Sequence, residues 1–167
     1  MAFTINVNGK DRTVDAPGDL ALLWALRDKL GINGPKYGCG VDACKACTCL
    51  VDGKKQTVCS MSLQRAAGKK IVTIEGLAAA APEKARVNGM HIVQQVWVEF
   101  DVAQCGFCQT GQIMAAVDLL ASTNNNPTDD QIDEKMDNVC RCGTYDRIRR
   151  AIKEAGARLR TAGAAAI

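Results

Sequence analysis

Apolar positions along this chain follow two different periods, and the change from one to the other falls near residue 77. In the first part, Phe3-Thr4-Ile5-Asn6-Val7 alternates with period two, Asn8-Gly9 is a two-residue turn signal, and Arg12-Thr13-Val14 returns, which predicts a hairpin. A helix is predicted from Asp19 to Leu30 with its stop at Gly31, and it places Leu20, Leu23, Trp24 and Leu30 on one face. Thr48-Cys49-Leu50-Val51 and Thr57-Val58-Cys59 flank Asp52-Gly53, a second hairpin signal, and Ile71-Val72-Thr73-Ile74 offers one more β-branched strand. Two hairpins, a helix packed on them and a further strand make a small α+β unit over residues 1–77. Pro82, among alanines and charged residues, marks a linker over 78–88.

Residues 89–163 carry helix signals and almost no strand signals. Ile92, Val96 and Phe100 recur at helical spacing, as do Ile113, Val117 and Leu120, and Ile148, Ile152 and Leu159 continue the pattern. Between them Pro127-Thr128-Asp129-Asp130 reads as a cap followed by acidic first-turn residues, which predicts a helix through Met136. The expected fold class is therefore α+β: a mixed N-terminal unit followed by an all-α domain of four helices. Packing four helices brings the turn after the first helix beside the turn before the fourth.

Composition narrows the function classes. With 47% hydrophobic and 23% charged residues the chain reads as an ordinary soluble protein. A net charge of +3 with scattered basic residues gives no footprint for nucleic acid, and Lys69-Lys70, Arg147 and Arg149-Arg150 read as solvated faces. The longest apolar stretches, Leu77 to Ala81 and the alanine-rich residues 164–167, fall short of a membrane span. Met1-Ala2-Phe3-Thr4-Ile5-Asn6-Val7 has no signal-peptide character, so the expected location is cytoplasmic, or periplasmic if a partner carries the folded chain across. Any membrane attachment would come through a partner. No Ser–His–Asp set, paired catalytic carboxylates, phosphate loop or G-x-G-x-x-G is present, so substrate chemistry is expected on another chain.

Nine cysteines carry the chemistry. Cys39, Cys44, Cys47 and a later cysteine have the C-x4-C-x2-C…C spacing with which plant-type ferredoxins hold a [2Fe-2S] cluster. Cys105 and Cys108, with Cys140 and Cys142, supply four more thiolates, which suit two tetrahedral irons. An odd cysteine count and the lack of an export signal disfavour disulfides. Zinc remains open for the second set on spacing alone. A Rieske centre needs two histidines, and the single His91 lies outside both sets, where it reads as a surface or capping residue of its helix. Turn chemistry selects the fourth ligand of the first set. Folding back at Asp52-Gly53 or Gly53-Lys54 places Cys59 opposite residue 46 or 48, beside Cys47 either way, whereas Cys49 moves off along the strand and reads as a small buried hydrophobe.

Tyr37-Gly38-Cys39-Gly40-Val41-Asp42-Ala43-Cys44, Cys47-Thr48 with Asp52-Gly53 and Cys59, Gln104-Cys105-Gly106-Phe107-Cys108, and Cys140-Arg141-Cys142-Gly143 together resemble the small iron–sulfur subunit of molybdenum hydroxylases, the xanthine oxidase family. The resemblance implies an N-terminal β-grasp ferredoxin domain, a C-terminal four-helix bundle and a [2Fe-2S] cluster in each. It further implies a separate large subunit that binds molybdopterin and hydroxylates the substrate. The C-terminal cluster would lie nearest the pterin, with Cys142 and Gln104 hydrogen-bonding to it, and the N-terminal cluster nearer the exit.

Two departures from the common family pattern stand out: Lys45 where a glycine is usual, and Gln109-Thr110-Gly111-Gln112 where Thr-Pro-Gly is usual. The glutamine-rich variant, taken with Cys142-Gly143-Thr144-Tyr145, resembles bacterial isoquinoline oxidoreductases and aldehyde dehydrogenases more closely. That likeness implies an aldehyde or N-heteroaromatic substrate on the partner and a cytochrome c or flavin (FAD) acceptor. Lys45 by charge alone should raise the potential of the first cluster if its side chain stays close, and should change little if it points to water. A redox-sensing regulatory protein, and a ferredoxin with a structural zinc module, are the competing readings.

Overall fold

The computed structural model describes all 167 residues. Strands β1 (Ala2–Val7) and β2 (Lys10–Asp15) pair antiparallel around Asn8-Gly9, whose φ angles of 53° and 78° are those of the tight turn that matches strand twist. Helix α1 (Leu22–Trp24) runs straight into a π-helical turn over Ala25–Lys29, closed by Leu30 N–H to the Ala25 carbonyl at 3.1 Å. The helix is shorter than predicted, because residues before Leu22 are tied elsewhere. Leu22 N–H donates to Met61 O at 2.7 Å, Leu23 N–H donates to Val58 O at 3.0 Å, and Ala21 bridges to Ser62. The wider turn also rotates the buried face onto Leu22, Leu23, Ala25 and Leu26, leaving Leu20, Trp24 and Leu30 at its edge.

β3 (Thr48–Val51) and β4 (Lys54–Thr57) form the second hairpin, turned at Asp52-Gly53, with Thr48 opposite Thr57. After the short helix α2 (Leu63–Ala66), capped by the Ser62 side chain, β5 (Lys70–Val72) enters between β1 and β3. It lies parallel to β1 and antiparallel to β3, giving the sheet order β2-β1-β5-β3-β4. β5 ends at Val72 because Thr73 turns to bond the Asn8 side chain, and Ile74–Gly76 forms a 3-10 turn.

The segment that follows, residues 77–91, is structured throughout. It forms helix α3 (Leu77–Ala80), a 3-10 turn and a small hairpin of β6 (Arg86–Val87) and β7 (Met90–His91) around Asn88-Gly89. Helices α4 (Ile92–Glu99), α5 (Gln109–Ser122), α6 (Asp129–Lys135) and α7 (Tyr145–Ala162) follow. Thr128 and Gln131 form a reciprocal capping box on α6, as the cap motif predicts. Asp129 in its first turn pairs with Arg149 at 3.0 Å and Lys153 at 2.6 Å. His91 does cap α4, accepting from Val93 N–H at Nδ1, but it is fully buried rather than on the surface, and Nε2 meets the Ala166 carbonyl at 2.6 Å.

α5 lies against β3, so that strand is buried on both faces: Cys49 and Val51 face the core beneath the sheet, while Leu50 joins the helical core with Met114, Val117 and Ile152. The α+β expectation thus holds as a five-stranded sheet with helices. No helix is long and apolar enough to cross a membrane.

Candidate metal centres

The first thiol group is built by the loop between the π turn and β3. Trp24 stacks on Tyr37 with ring centroids 5.0 Å apart, which anchors the loop just before Cys39. Glu75 accepts from Gly34 N–H at 2.7 Å and from the Thr73 hydroxyl at 2.6 Å. Within the loop the backbone wraps one sulfur: Val41, Ala43 and Cys44 N–H groups stand 3.4, 3.2 and 3.2 Å from Cys39 Sγ, and Cys39 N–H lies 3.3 Å from Cys44 Sγ. These dipoles favour a thiolate, so Cys39 is pulled down to about 7, chiefly by the Cys44 and Val41 N–H groups. Gly38 permits this closeness, since a Cβ there would sit 2.6 Å from Cys44 Sγ.

Cys47 is buried at the head of β3 and pushed up to about 12, first by desolvation. The Cys59 thiol is within hydrogen-bonding reach of it, because the Thr48–Thr57 register places Cys59 opposite Ala46. Cys49, two residues on, is fully buried, and burial pushes its thiol well up. Lys45 adopts a left-handed backbone, φ 58°, where glycine is the easier residue. Its ammonium stays by the loop but is met by Asp42 at 2.8 Å and Asp137 at 3.8 Å, so two carboxylates compensate the charge that Lys45 brings near the first thiols.

The second group forms where the α4–α5 turn meets the α6–α7 turn. Cys105, exposed and lowered chiefly by the Phe107 N–H, lies beside Cys142; buried Cys108, pushed up to about 12 by desolvation, lies beside Cys140. Burial raises Cys140 too, but the Thr144 hydroxyl and N–H outweigh it and the net shift is downward. Tyr145 Oη accepts from Cys140 N–H at 2.8 Å and fixes that turn. Gln104 is exposed on the same rim, next to Cys105.

The two groups touch. Val139 N–H donates to the Cys44 carbonyl at 3.0 Å, Asn138 Nδ2 donates to the Lys45 carbonyl at 2.9 Å, and Gln112 Nε2 holds Asn138 O at 3.0 Å. Thr110 Oγ1 donates to the Gly34 carbonyl at 2.8 Å, and Gly111 brings α5 flat against the Lys45–Ala46 backbone. Cys39, Cys44, Cys105 and Cys108 line one cleft of about 220 Å³ with Phe107 and Val139.

The donor set fits iron–sulfur cores. Thiols stand in pairs, two pairs to a group, as a two-iron cluster requires, and backbone N–H groups already point at sulfur. Sequence reasoning singled out all eight proposed ligands, while Gln109 and Thr144 were visible only as members of unusual motifs without a role, and Asn138 carried no local signal at all.

Comparison with known proteins divides the chain along the same lines. Residues 5–72 match the family model for a 2Fe-2S iron-sulfur cluster binding domain, and residues 73–153 match that for a [2Fe-2S] binding domain. The chain is 43% identical over 155 residues to one of the subunits of nicotinate dehydrogenase from Pseudomonas putida, covering 92% of this chain and 93% of that one. It is 43% identical over 151 residues to the alpha subunit of isoquinoline 1-oxidoreductase from Brevundimonas diminuta, covering 89% and 93%. Among solved structures, quinoline 2-oxidoreductase from Pseudomonas putida 86 superposes with a TM-score of 0.86 at 33% identity, covering 98% of this chain and 97% of that one.

Proposed function

The chain belongs to the [2Fe-2S] subunits of the molybdenum hydroxylases, the xanthine oxidase family, and on that premise we propose which residues hold its two clusters and where its electrons go. Cys39, Cys44, Cys47 and Cys59 hold the first cluster, and Cys105, Cys108, Cys140 and Cys142 the second. Cys142 and Gln104 turn toward the molybdopterin of a large partner subunit. Bound clusters supply reversible one-electron transfer. The chain's own residues bind the iron, aim N–H groups at the sulfurs from Val41, Ala43 and Cys44, and keep water from Cys47, Cys108 and Cys140 by burial.

In this reading residues 1–77 form the β-grasp ferredoxin domain, residues 89–163 a four-helix bundle, and residues 78–88 join them. Electrons from the partner's molybdenum pass through the second and then the first group to a cytochrome c or flavin subunit. The partner oxidises an N-heteroaromatic ring, as the names of the two relatives at 43% identity suggest, with an aldehyde as the alternative. The complex works in the cytoplasm, or in the periplasm if the partner directs export.

The observation that carries the proposal is the pairing of thiols: Cys39 with Cys44, Cys47 with Cys59, Cys105 with Cys142 and Cys108 with Cys140. Purification of the complex tests it. About four irons and four acid-labile sulfides per copy of this chain are expected, with two EPR signals on reduction. A single cluster, or zinc in place of iron at the second group, would overturn the assignment. Mass spectrometry of the same preparation identifies the partners.

A further inference from the structure

Gln109 opens α5 directly after Cys108, and its side chain is buried, where an amide needs its hydrogen bonds made. Its orientation follows from a neighbour. An indole N–H can only donate, and Trp97 Nε1 lies 2.8 Å from Gln109 Oε1. The carbonyl end is thereby committed to Trp97, and the amino end is turned the other way. There Nε2 stands 3.4 Å from Cys108 Sγ and 3.4 Å from Thr144 Oγ1. Thr144 in turn lies 3.3 Å from Cys140 Sγ. A hydroxyl has one proton to give; Thr144 receives from Gln109 and, toward a thiolate at Cys140, donates its own. The hydrogen bonds therefore run in one direction, from Trp97 to Gln109, from Gln109 to Cys108 and Thr144, and from Thr144 to Cys140.

We propose that Gln109 and Thr144, held in place by Trp97, are positioning residues that raise the reduction potential of the second cluster by aiming an N–H and an O–H at two of its four thiolates. The inference rests on the assignment of Cys108 and Cys140 as ligands. An electron arriving from the partner's molybdenum adds one negative charge at these sulfurs, and donors already aimed there stabilise the reduced state. Trp97, Gln109 and Thr144 are all buried, so little water competes for the same sulfurs. The first group is arranged differently: its aimed donors are the backbone N–H groups of Val41, Ala43 and Cys44, which no side-chain change removes. The second group also receives backbone N–H groups, from Phe107 and Thr144, but adds these two side-chain donors, so its potential is the one a side-chain change can move.

Redox titration of the purified complex, poised with dithionite and followed by EPR, tests this. Gln109→Met keeps the shape and removes the N–H, Thr144→Val removes the hydroxyl, and Thr144→Ser keeps it. Both cluster signals should persist in all three. The second should become about tenfold harder to reduce in Gln109→Met, about 59 mV lower for one electron. Thr144→Val should shift it the same way, Thr144→Ser should leave it at the wild-type value, and the first signal should not move in any of them. An unmoved second signal in Gln109→Met and Thr144→Val, or an equal shift in Thr144→Ser and Thr144→Val, would overturn the proposal. If Gln109→Met does not assemble, the Thr144 pair decides alone. Wild-type iron content separates two kinds of failure: fewer than two clusters removes the ligand assignment and this inference with it, while two clusters with unmoved potentials removes this inference only.

Discussion

Replacing Cys49 with serine tests whether it is the structural thiol beside the four proposed ligands of the first cluster. The side chain is fully buried in the core formed with Ile5, Leu23, Val51 and Val58. Serine is close in shape, so packing changes little, but its hydroxyl must give up water in an apolar setting at about 1–3 kcal/mol. For a chain of this length ~1 kcal/mol moves the thermal midpoint by about 2–4 °C, so a fall of roughly 2–12 °C is expected. Iron content and both EPR signals should nevertheless match the wild type. Cys59→Ser should do the reverse, losing or altering the first signal, because Cys59 is only half-buried and stands next to Cys47. Calorimetry and EPR on the same preparations decide the matter. Loss of the first signal in Cys49→Ser, with its retention in Cys59→Ser, would show that the strand pairing sets the wrong cysteine against Cys47.

Two more expectations concern the joint between the halves and the cap of α4. In Gly111→Ala an ideal Cβ would stand 2.7 Å from the Lys45 carbonyl oxygen and 3.1 Å from that of Ala46, so overpacking of about 1–3 kcal/mol should outweigh the ~1 kcal/mol gained in helix propensity. The thermal midpoint should fall and the first EPR signal should broaden; a stabilised variant with an unchanged signal would refute this contact. Burial holds the His91 pKa below its usual 6.5, against the opposing pull of the Ala166 carbonyl. The unfolded chain therefore takes up a proton at a higher pH than the folded one, and stability contributed by neutral His91 is lost as pH falls from about 6.5 toward the folded value. His91→Asn keeps a capping side chain but loses the bond to the buried Ala166 carbonyl, so it should be less stable at pH 7.5 by about 1 kcal/mol and should lose less stability on acidification; an unchanged pH slope in denaturant titrations would count against the buried imidazole.

How much of this was legible in the chain depended on whether the deciding interaction was local. Asn8-Gly9 and Asp52-Gly53 specify their turns through their own φ preferences, so both hairpins were readable, and the second led directly to Cys59. Asn88-Gly89 carries the same turn signal, but the strands on either side are only two residues long, too short to show period-two alternation. The helix before the first cysteine loop was overextended because Met61 and Val58, distant in sequence, supply the carbonyls that fix where it begins. Lys45 was undecidable for the same reason: Asp137, which shares its charge, lies on the other half of the chain. The role of Gln109 could not be read at all, since it depends on Trp97 committing one end of the amide.

The contact between the two thiol groups bears on whether this chain can be cut. Its two halves resemble interchangeable modules, yet Leu50 in the middle of the sheet completes the helical core, and the carbonyls of Cys44 and Lys45 receive their hydrogens from Val139 and Asn138. Separated near residue 77, the N-terminal half would expose an apolar strand face and lose the support of the loop that carries Cys39 and Cys44. A portable electron carrier cannot be excised from this protein at its apparent seam, and any fusion or transplant would have to take the whole chain.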